Sequence, residues 1–408
     1  MLFKEGLFKG GTDLAAEQRK KIFILMVNMF IALASFGIVI PILPQYLASI
    51  GQGGQAAGLI IAVFAAAQFI MSPVAGKWAD QYGRRKMIIF GLGGLALSMF
   101  IFYLSDSVWV LYFSRIVGGV GAALLIPAIF AYIADITTMD QRAKGNSLIS
   151  AAMSLGIVIG PGVGGFLADF GLKVPLLISA IVAFVAVIFS IILLQESKES
   201  LEGNGELEQD AMLIKIAKST KMPYFILLII SLVMSFGLMA YESVLGLFVD
   251  YEFGATPQDI ALMVTSTGII SVIVQLFVVD RLVRKFGEAK ILSFFIGLTT
   301  LGFLLSIFAG SYNVFFGITL LIFLATSILR PVLNTLISKL AGNEQGFAMG
   351  MNNAYMSIGS ILGPLLAGSL FDVNIIYPFV LGFIILVITL VISLMWRQKG
   401  TNKMVKVS

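Results

Sequence analysis

The sequence predicts an all-α membrane protein of twelve transmembrane helices in two pseudo-symmetric six-helix bundles, with both termini in the cytoplasm. Three observations carry that reading. Of the 408 residues, 59% are hydrophobic and only 12% are charged, and the mean hydropathy is +0.99. A soluble domain averages about 25% charged residues, and half that fraction cannot cover the surface of a water-soluble chain this long. The charges are also clumped, leaving apolar stretches of about 20 residues or more, each long enough to cross a hydrocarbon core about 30 Å thick. Finally, the second half of the chain echoes the first.

The apolar stretches run over 22–47, 57–76, 87–105, 107–134, 145–169 and 174–195, then 223–249, 258–279, 289–309, 313–338, 347–370 and 376–396. Residues 1–21 hold Lys4, Lys9, Arg19, Lys20 and Lys21 with no apolar core, so they read as a cytoplasmic basic tail rather than a cleavable leader. Lys and Arg accumulate on the cytoplasmic side of membrane proteins. With the N-terminus inside, all 27 bases except Arg115, Arg330 and Lys173 fall on that side. The net charge of +5 is then topology, and no nucleic-acid partner is expected.

The polar stretch 196–221 reads as a cytoplasmic linker, part helical near 210–220. It separates an N-terminal bundle (22–195) from a C-terminal bundle (222–397), with a short cytoplasmic tail at 398–408. The halves repeat at an offset of 203. Gly156, Gly160, Pro161, Gly165, Leu167, Asp169 and Pro175 match Gly359, Gly363, Pro364, Gly368, Leu370, Asp372 and Pro378. A weaker echo links Asp80 to Asp280, each followed by Arg, Lys and Gly. Duplicated six-helix halves place a substrate site near the midplane and move by rocking around it.

The chain has no His and no Cys. Imidazole relays, thiolate nucleophiles, disulfides and their metal sites are therefore excluded, and a membrane-embedded enzyme loses its usual nucleophile–base pairs. No G-x-x-x-x-G-K-[ST] loop is present, so ATP is not the expected fuel. Proton chemistry falls to carboxylates. Glu242 is the one acid well inside a span: no other charge lies between Lys221 and Asp250. It stands about seven residues, or roughly 10 Å, from the end of its helix. An ionised acid there costs about 2.5–3.5 kcal/mol, so hydrocarbon favours its neutral, protonated form. A carboxyl that is either protonated or ionised against a cation makes proton and cation compete, which is the minimum machinery of antiport.

Arg330 precedes Pro331, and a fixed charge beside a helix-bending proline suits a moving cavity wall. Arg115 precedes Gly118, Gly119 and Gly121, where small residues permit close helix approach; no acid in the first half's helix interiors offers it a partner. Gly156, Gly160 and Gly164 share one face, and with Pro161 and Gly165 they predict a tight, bendable contact with a facing helix. The stretch 76–86 packs Gly76, Asp80, Gly83, Arg84, Arg85 and Lys86 between two spans and reads as a charge lock, with Asp80 against a helix N-terminus. Gln68, Phe36, Phe64, Tyr241, Asn352, Asn353 and Tyr355 are the expected walls of a large, mostly apolar cavity suited to flat amphiphiles.

With these residues in view, the chain resembles the major facilitator superfamily along essentially its whole length, and within it the NorA-type bacterial drug/proton antiporters. The loop signature G-x-x-x-D-x-x-G-R-[RK]-[RK] is Gly76, Asp80, Gly83, Arg84, Arg85 and Lys86. R-x-x-x-G-x-G is Arg115, Gly119 and Gly121. The antiporter signature G-x-x-x-G-P-x-x-G-G is Gly156, Gly160, Pro161, Gly164 and Gly165, and GIVIPILP (37–44) matches the drug-exporter entry motif. SFGLMAYE, ending at Glu242, resembles the NorA-type seventh helix.

The resemblance implies a secondary transporter in the bacterial cytoplasmic membrane, a functional monomer with no cofactor. It would be driven by the proton gradient and export amphipathic, often cationic drugs: dyes, quaternary ammonium compounds and fluoroquinolones. Glu242 would carry the proton and meet the drug together with Arg330, Gln68, Phe36, Tyr241, Asn352, Asn353 and Tyr355. A narrow-substrate carrier for a sugar, metabolite or lipid is the alternative on the same fold. The sequence departs from the pattern at Ser327, where NorA-like proteins carry an acid three residues before the Arg-Pro pair. That leaves one intramembrane carboxylate in the second half and the proton stoichiometry open.

Overall fold

A computed structural model describes residues 16–197, 212–342 and 344–405. Lys4, Lys9 and the linker stretch 198–211 lie outside the described residues. The described chain is helical with no strand: α1 (Ala16–Val39), α2 (Leu43–Ser49), α3 (Gly54–Tyr82), α4 (Arg84–Leu104), α5 (Val108–Ile136), α6 (Met139–Ala168), α7 (Val174–Leu193), α8 (Met212–Ser219), α9 (Phe225–Phe253), α10 (Pro257–Phe277), α11 (Val279–Phe286), α12 (Glu288–Ile307), α13 (Tyr312–Ala341), α14 (Gln345–Val373) and α15 (Tyr377–Val405). All but the short α2, α8 and α11 are long and apolar enough to cross a membrane.

Local chemistry sets the boundaries. The stretch expected as one span over 22–47 is broken: α1 stops at Val39, a turn follows and α2 begins at Leu43. Pro41 and Pro44 are the cause, because proline has no N–H and clashes with the carbonyl four residues back. The stretch 76–86 is hardly a loop. α3 runs to Tyr82 and α4 starts at Arg84, with Gly83 alone between them at φ +98°, a conformation only glycine adopts freely. Thr138 with Gln141 and Thr256 with Asp259 form capping boxes at the starts of α6 and α10, satisfying N–H groups the first turn cannot. Gly254 closes α9 in the left-handed region at φ +64°.

The chain divides into two compact units, Met1–Ile42 with Ala66–Asn204, and Leu43–Ala65 with Gly205–Ser408. The first turns of α3 thus belong to the second unit. In the first unit α1 packs on α6, and α4 packs on α5 and α7. In the second, α9 packs on α14, and α12 packs on α13 and α15. The offset seen in the sequence is therefore repeated in the packing. Lipid supplies no hydrophobic drive between helices, so close van der Waals contact and buried hydroxyls hold them. Ser179 donates to Ser35 Oγ at 2.9 Å, Asn28 Nδ2 to Ser190 Oγ at 2.9 Å, and Ser293 and Ser393 share a bond at 2.9 Å.

Candidate functional site

The glycine motifs form two matching seams. A Cβ on Gly156 would lie 2.7 Å from the Phe30 carbonyl oxygen, and one on Gly160 2.7 Å from that of Ala34. One on Gly164 would overlap the Ile38 carbonyl. Pro161 closes the same face, 2.8 Å from where a Gly37 Cβ would stand. The helix facing α6 is therefore α1, approached backbone to backbone. In the second unit a Cβ on Gly359 would press on Leu232 O and on Phe236 N at 2.8 Å, and one on Gly363 on Phe236 O and on Ala240 N at 3.0 Å. Gly165 is buried beside its seam. Gly368, its counterpart, meets Gly54 and Gly58 of α3 instead, where Asp372 accepts from Gly54 N at 2.6 Å and Gln55 N at 2.9 Å. That carboxylate caps the start of α3, where two free N–H groups and the helix dipole favour an anion.

The charge lock is wider than its sequence motif. Arg84, only 7% exposed, donates from Nη2 to Asp80 Oδ1 at 2.7 Å and from Nη1 to the Ala79 carbonyl at 2.9 Å. Its Nε lies 3.0 Å from Asp135 Oδ2 in an ion pair. Ser197 donates to the same Asp135 oxygen at 2.8 Å. Glu196 accepts from Arg85 N at 3.1 Å and fills the space a Gly83 side chain would need, while Arg85 Nη2 donates to Ile191 O at 2.6 Å. One cluster thus ties the ends of α3, α4, α5 and α7. Asp80 pairs with Arg84 one turn on, rather than capping a helix N-terminus as expected. A Cβ on Gly76 would meet nothing within 4 Å. Asp135 and Glu196 were not singled out in the sequence, where each is simply an acid at the end of a span.

Arg115 is 2% exposed on α5. Its guanidinium lies 4.6 Å from the Phe102 ring centroid, and Nη2 donates to Met99 Sδ at 3.7 Å. No carboxylate pairs with it among the described residues. The ring face and sulfur of α4 solvate the cation in place of an acid.

In the second unit a cavity of about 140 Å³ opens between α9, α13 and α14. Its polar lining is Ser231 and Ser235 from α9, Thr326, Arg330 and Asn334 from α13, and Ser360 from α14; Met234, Leu238, Met239, Leu329, Leu333 and Met356 complete it. Ser235 and Ser360 share a bond at 2.8 Å. Arg330 makes no hydrogen bond or ion pair among the described residues. Ser327 turns away, donating to the Leu324 carbonyl at 2.8 Å. On α9, Ser231, Ser235, Leu238 and Glu242 follow at three- and four-residue spacing and so share one face. Glu242, half-buried and without a partner among the described residues, extends the cavity face by one turn.

Of the other expected wall residues, Asn352 reaches the edge of this cavity, donating from Nδ2 to Asn334 Oδ1 at 2.9 Å. Tyr241 does not line it. It is 1% exposed, shares a bond with Thr319 Oγ1 at 2.8 Å, and packs on Phe303, Phe315 and Phe379 with centroids 5.2, 6.1 and 5.6 Å away. Neighbouring helix residues lie about 100° apart, so Tyr241 and Glu242 face different surroundings. Tyr355 is buried and bonds Ser219 Oγ at 3.0 Å; Asn353 is exposed. Phe36 and Gln68, both half-buried, belong to the first unit and Phe64 to the second. The serine stripe ahead of Glu242 was the unused sequence signal for the cavity.

The family model described as the Major Facilitator Superfamily matches residues 25–251 and 227–406. "Multidrug resistance protein 2" of Bacillus subtilis is 42% identical over 391 residues, covering 95% of this chain and 97% of that protein. "Quinolone resistance protein NorA" of Staphylococcus aureus is 33% identical over 379 residues, 93% and 97% of the two chains. Among solved structures, the nucleoside transporter NupG superposes with a TM-score of 0.77 at 14% identity, over 92% of this chain and 99% of that one. A bacterial homologue of the human lysosomal transporter Spinster gives 0.76 at 13%, over 94% and 98%. At such identities these two speak for the fold alone.

Proposed function

The chain belongs to the Major Facilitator Superfamily, and from that membership we propose that it is a proton-coupled multidrug efflux antiporter. It exports amphipathic, often cationic drugs from the bacterial cytoplasm by alternating access, with both termini inside, no cofactor, and one chain as the working unit. The relatives named for multidrug and quinolone resistance support the substrate class. The observation that carries the mechanism is Glu242: a lone, half-buried acid one turn beyond a cavity walled by methionine, leucine and a few hydroxyls.

The cycle follows from charge. Facing the cytoplasm, ionised Glu242 attracts the cationic drug, and the apolar wall takes its aromatic body. Facing outward, a proton neutralises Glu242 and the drug loses its counter-ion. The protonated carboxyl then crosses back at little electrostatic cost. The membrane potential contributes about 2.3 kcal/mol per charge per 100 mV to inward proton movement. The glycine seams give each unit a tightly packed body to move by rocking.

The test loads proteoliposomes with a cationic dye under an imposed pH gradient and compares wild type with Glu242→Gln. The wild type should export dye faster with an inward proton gradient than without one and acidify the lumen that the dye leaves, and the variant should do neither. Dye-coupled proton movement that survives in Glu242→Gln refutes the assignment.

A further inference from the structure

The connection between the spans α10 and α12 is a helix rather than a loop. α11 starts at Val279, just after α10 ends at Phe277, and Gly287 alone separates it from α12. Because both neighbours are spans, α11 lies where hydrocarbon gives way to headgroups. Its sequence, VDRLVRKF, sorts cleanly at about 100° per residue. Val279, Leu282, Val283 and Phe286 make one apolar stripe, and Arg281, Arg284 and Lys285 share the opposite face with Asp280. Protein does not cover the whole stripe: Val279 is buried, Leu282 and Val283 are half-buried, and Phe286 is 49% exposed. Leu276 and Phe277, just before it, are 69% and 58% exposed. All three bases are exposed, and none forms an ion pair among the described residues. Arg281 commits one N–H to the Phe277 carbonyl at 3.2 Å, and Lys285 Nζ lies 5.3 Å from the Phe286 ring centroid. The nearby Glu288 is taken by Lys339. The matching connection in the first unit, between α3 and α4, differs: Arg84 is held by Asp80 and Asp135, and Arg85 donates to the Ile191 carbonyl. A bias of positive charge toward the cytoplasm explains neither the face these bases share nor the stripe opposite.

We propose that α11 is a binding site for an anionic phospholipid. Arg281 and Lys285 stand one turn apart on the flank beside Leu282, while Arg284 lies on the other flank with Asp280. The lipid phosphate sits between Arg281 and Lys285 in charge-assisted contacts. An acyl chain lies along Leu282 and Phe286 and continues onto the exposed Leu276 and Phe277. Amphipathic helices with basic polar faces lie in the membrane interface in this way, held by apolar burial and by attraction to anionic lipid together. A zwitterionic headgroup carries its own ammonium, which opposes the two bases. A free phosphate has no chain for the stripe. On the topology proposed above, the site faces the cytoplasmic leaflet. It is independent of the cargo the protein carries.

The experiment titrates the purified full-length protein, in neutral detergent, into an acyl-labelled fluorescent phosphatidylglycerol and reads the anisotropy of the label. Unlabelled phosphatidylglycerol, phosphatidylcholine and inorganic phosphate then compete. Phosphatidylglycerol should displace the probe, and the other two should leave it bound. Arg281→Gln/Lys285→Gln should weaken binding about twenty-fivefold, at about fivefold for each base lost near an anionic surface. Lys218→Gln/Lys221→Gln removes the same charge from exposed positions elsewhere. It should change the affinity by less than about twofold, since screening confines such attraction to the neighbourhood of the charge. An equal loss in the two double variants overturns the proposal, because the attraction then belongs to the protein's overall charge. Wild-type affinity in Arg281→Gln/Lys285→Gln overturns it as well. Displacement by phosphatidylcholine as strong as by phosphatidylglycerol removes the headgroup site, and displacement by phosphate removes the lipid as its occupant. Should the α11 variant fail to fold, the three competitors on wild type decide.

Discussion

A single methyl group added to the α1–α6 seam should cost the first unit measurable stability. In Gly160→Ala the new Cβ would stand 2.7 Å from the Ala34 carbonyl oxygen and 2.9 Å from its Cα. Non-bonded carbons rest at about 3.5–4.0 Å, so the helices must separate by roughly 0.6–1 Å. That gap is not confined to one residue. Gly156 and Gly164 meet the same helix, and a radial gap of about 0.5–1 Å forfeits a quarter to a half of each contact's attraction. Overpacking of this kind costs about 1–3 kcal/mol, more than the roughly 1 kcal/mol by which alanine outranks glycine as a helix former. The assay is fluorescence-monitored thermal unfolding in detergent, with Gly76→Ala as the control, since a Cβ there meets nothing within 4 Å. Gly160→Ala should melt clearly below wild type and Gly76→Ala beside it. Equal melting of Gly160→Ala and wild type, or an equal loss in Gly76→Ala, would refute the seam argument.

Two further outcomes follow from the geometry. Asp135→Asn should destabilise the first unit by about 1–3 kcal/mol, the cost of weakening a charged hydrogen-bond partner of a buried group, because Arg84 is 7% exposed and keeps Asp80 and the Ala79 carbonyl. Asp80→Asn should cost under about 1 kcal/mol, since the Asp80 side chain is 66% exposed; chemical denaturation of both variants checks the order. Tyr241→Phe should lose the Thr319 hydrogen bond, about 1 kcal/mol, with no change in dye affinity, and a shifted Kd would return Tyr241 to the cavity wall.

The spans were legible because hydrocarbon allows little else: a stretch of about 20 apolar residues must be a helix that satisfies its own backbone. Glu242 was legible for the same reason, as a charge with nothing polar near it in sequence. The glycine repeat announced a close contact, yet its partners, Phe30, Ala34 and Ile38, carry no signal of their own, because they contribute backbone atoms. The charge lock was half readable. Arg84 and Asp80 sit in one motif, whereas Asp135 and Glu196 come from span ends tens of residues away, where an acid has many reasons to be. Tyr241 was misplaced by adjacency: sequence neighbours are not facial neighbours on a helix. The break at Pro41 was missed because apolar composition outvoted a backbone rule.

The three faces of α9 have an evolutionary consequence. Backbone atoms of Leu232, Phe236 and Ala240 form the seam with α14, Tyr241 and Phe248 lock into an aromatic core, and Ser231, Ser235 and Leu238 face the cavity. On the proposed reading of this cavity as the drug site, a mutation at Ser231, whose hydroxyl has no partner among the described residues, or at Leu238 changes which molecules fit without breaking a hydrogen bond that holds the helix in place, whereas Ser235 also bonds α14. Selection by a new toxic compound can therefore retune this protein's spectrum one side chain at a time while its scaffold stays intact.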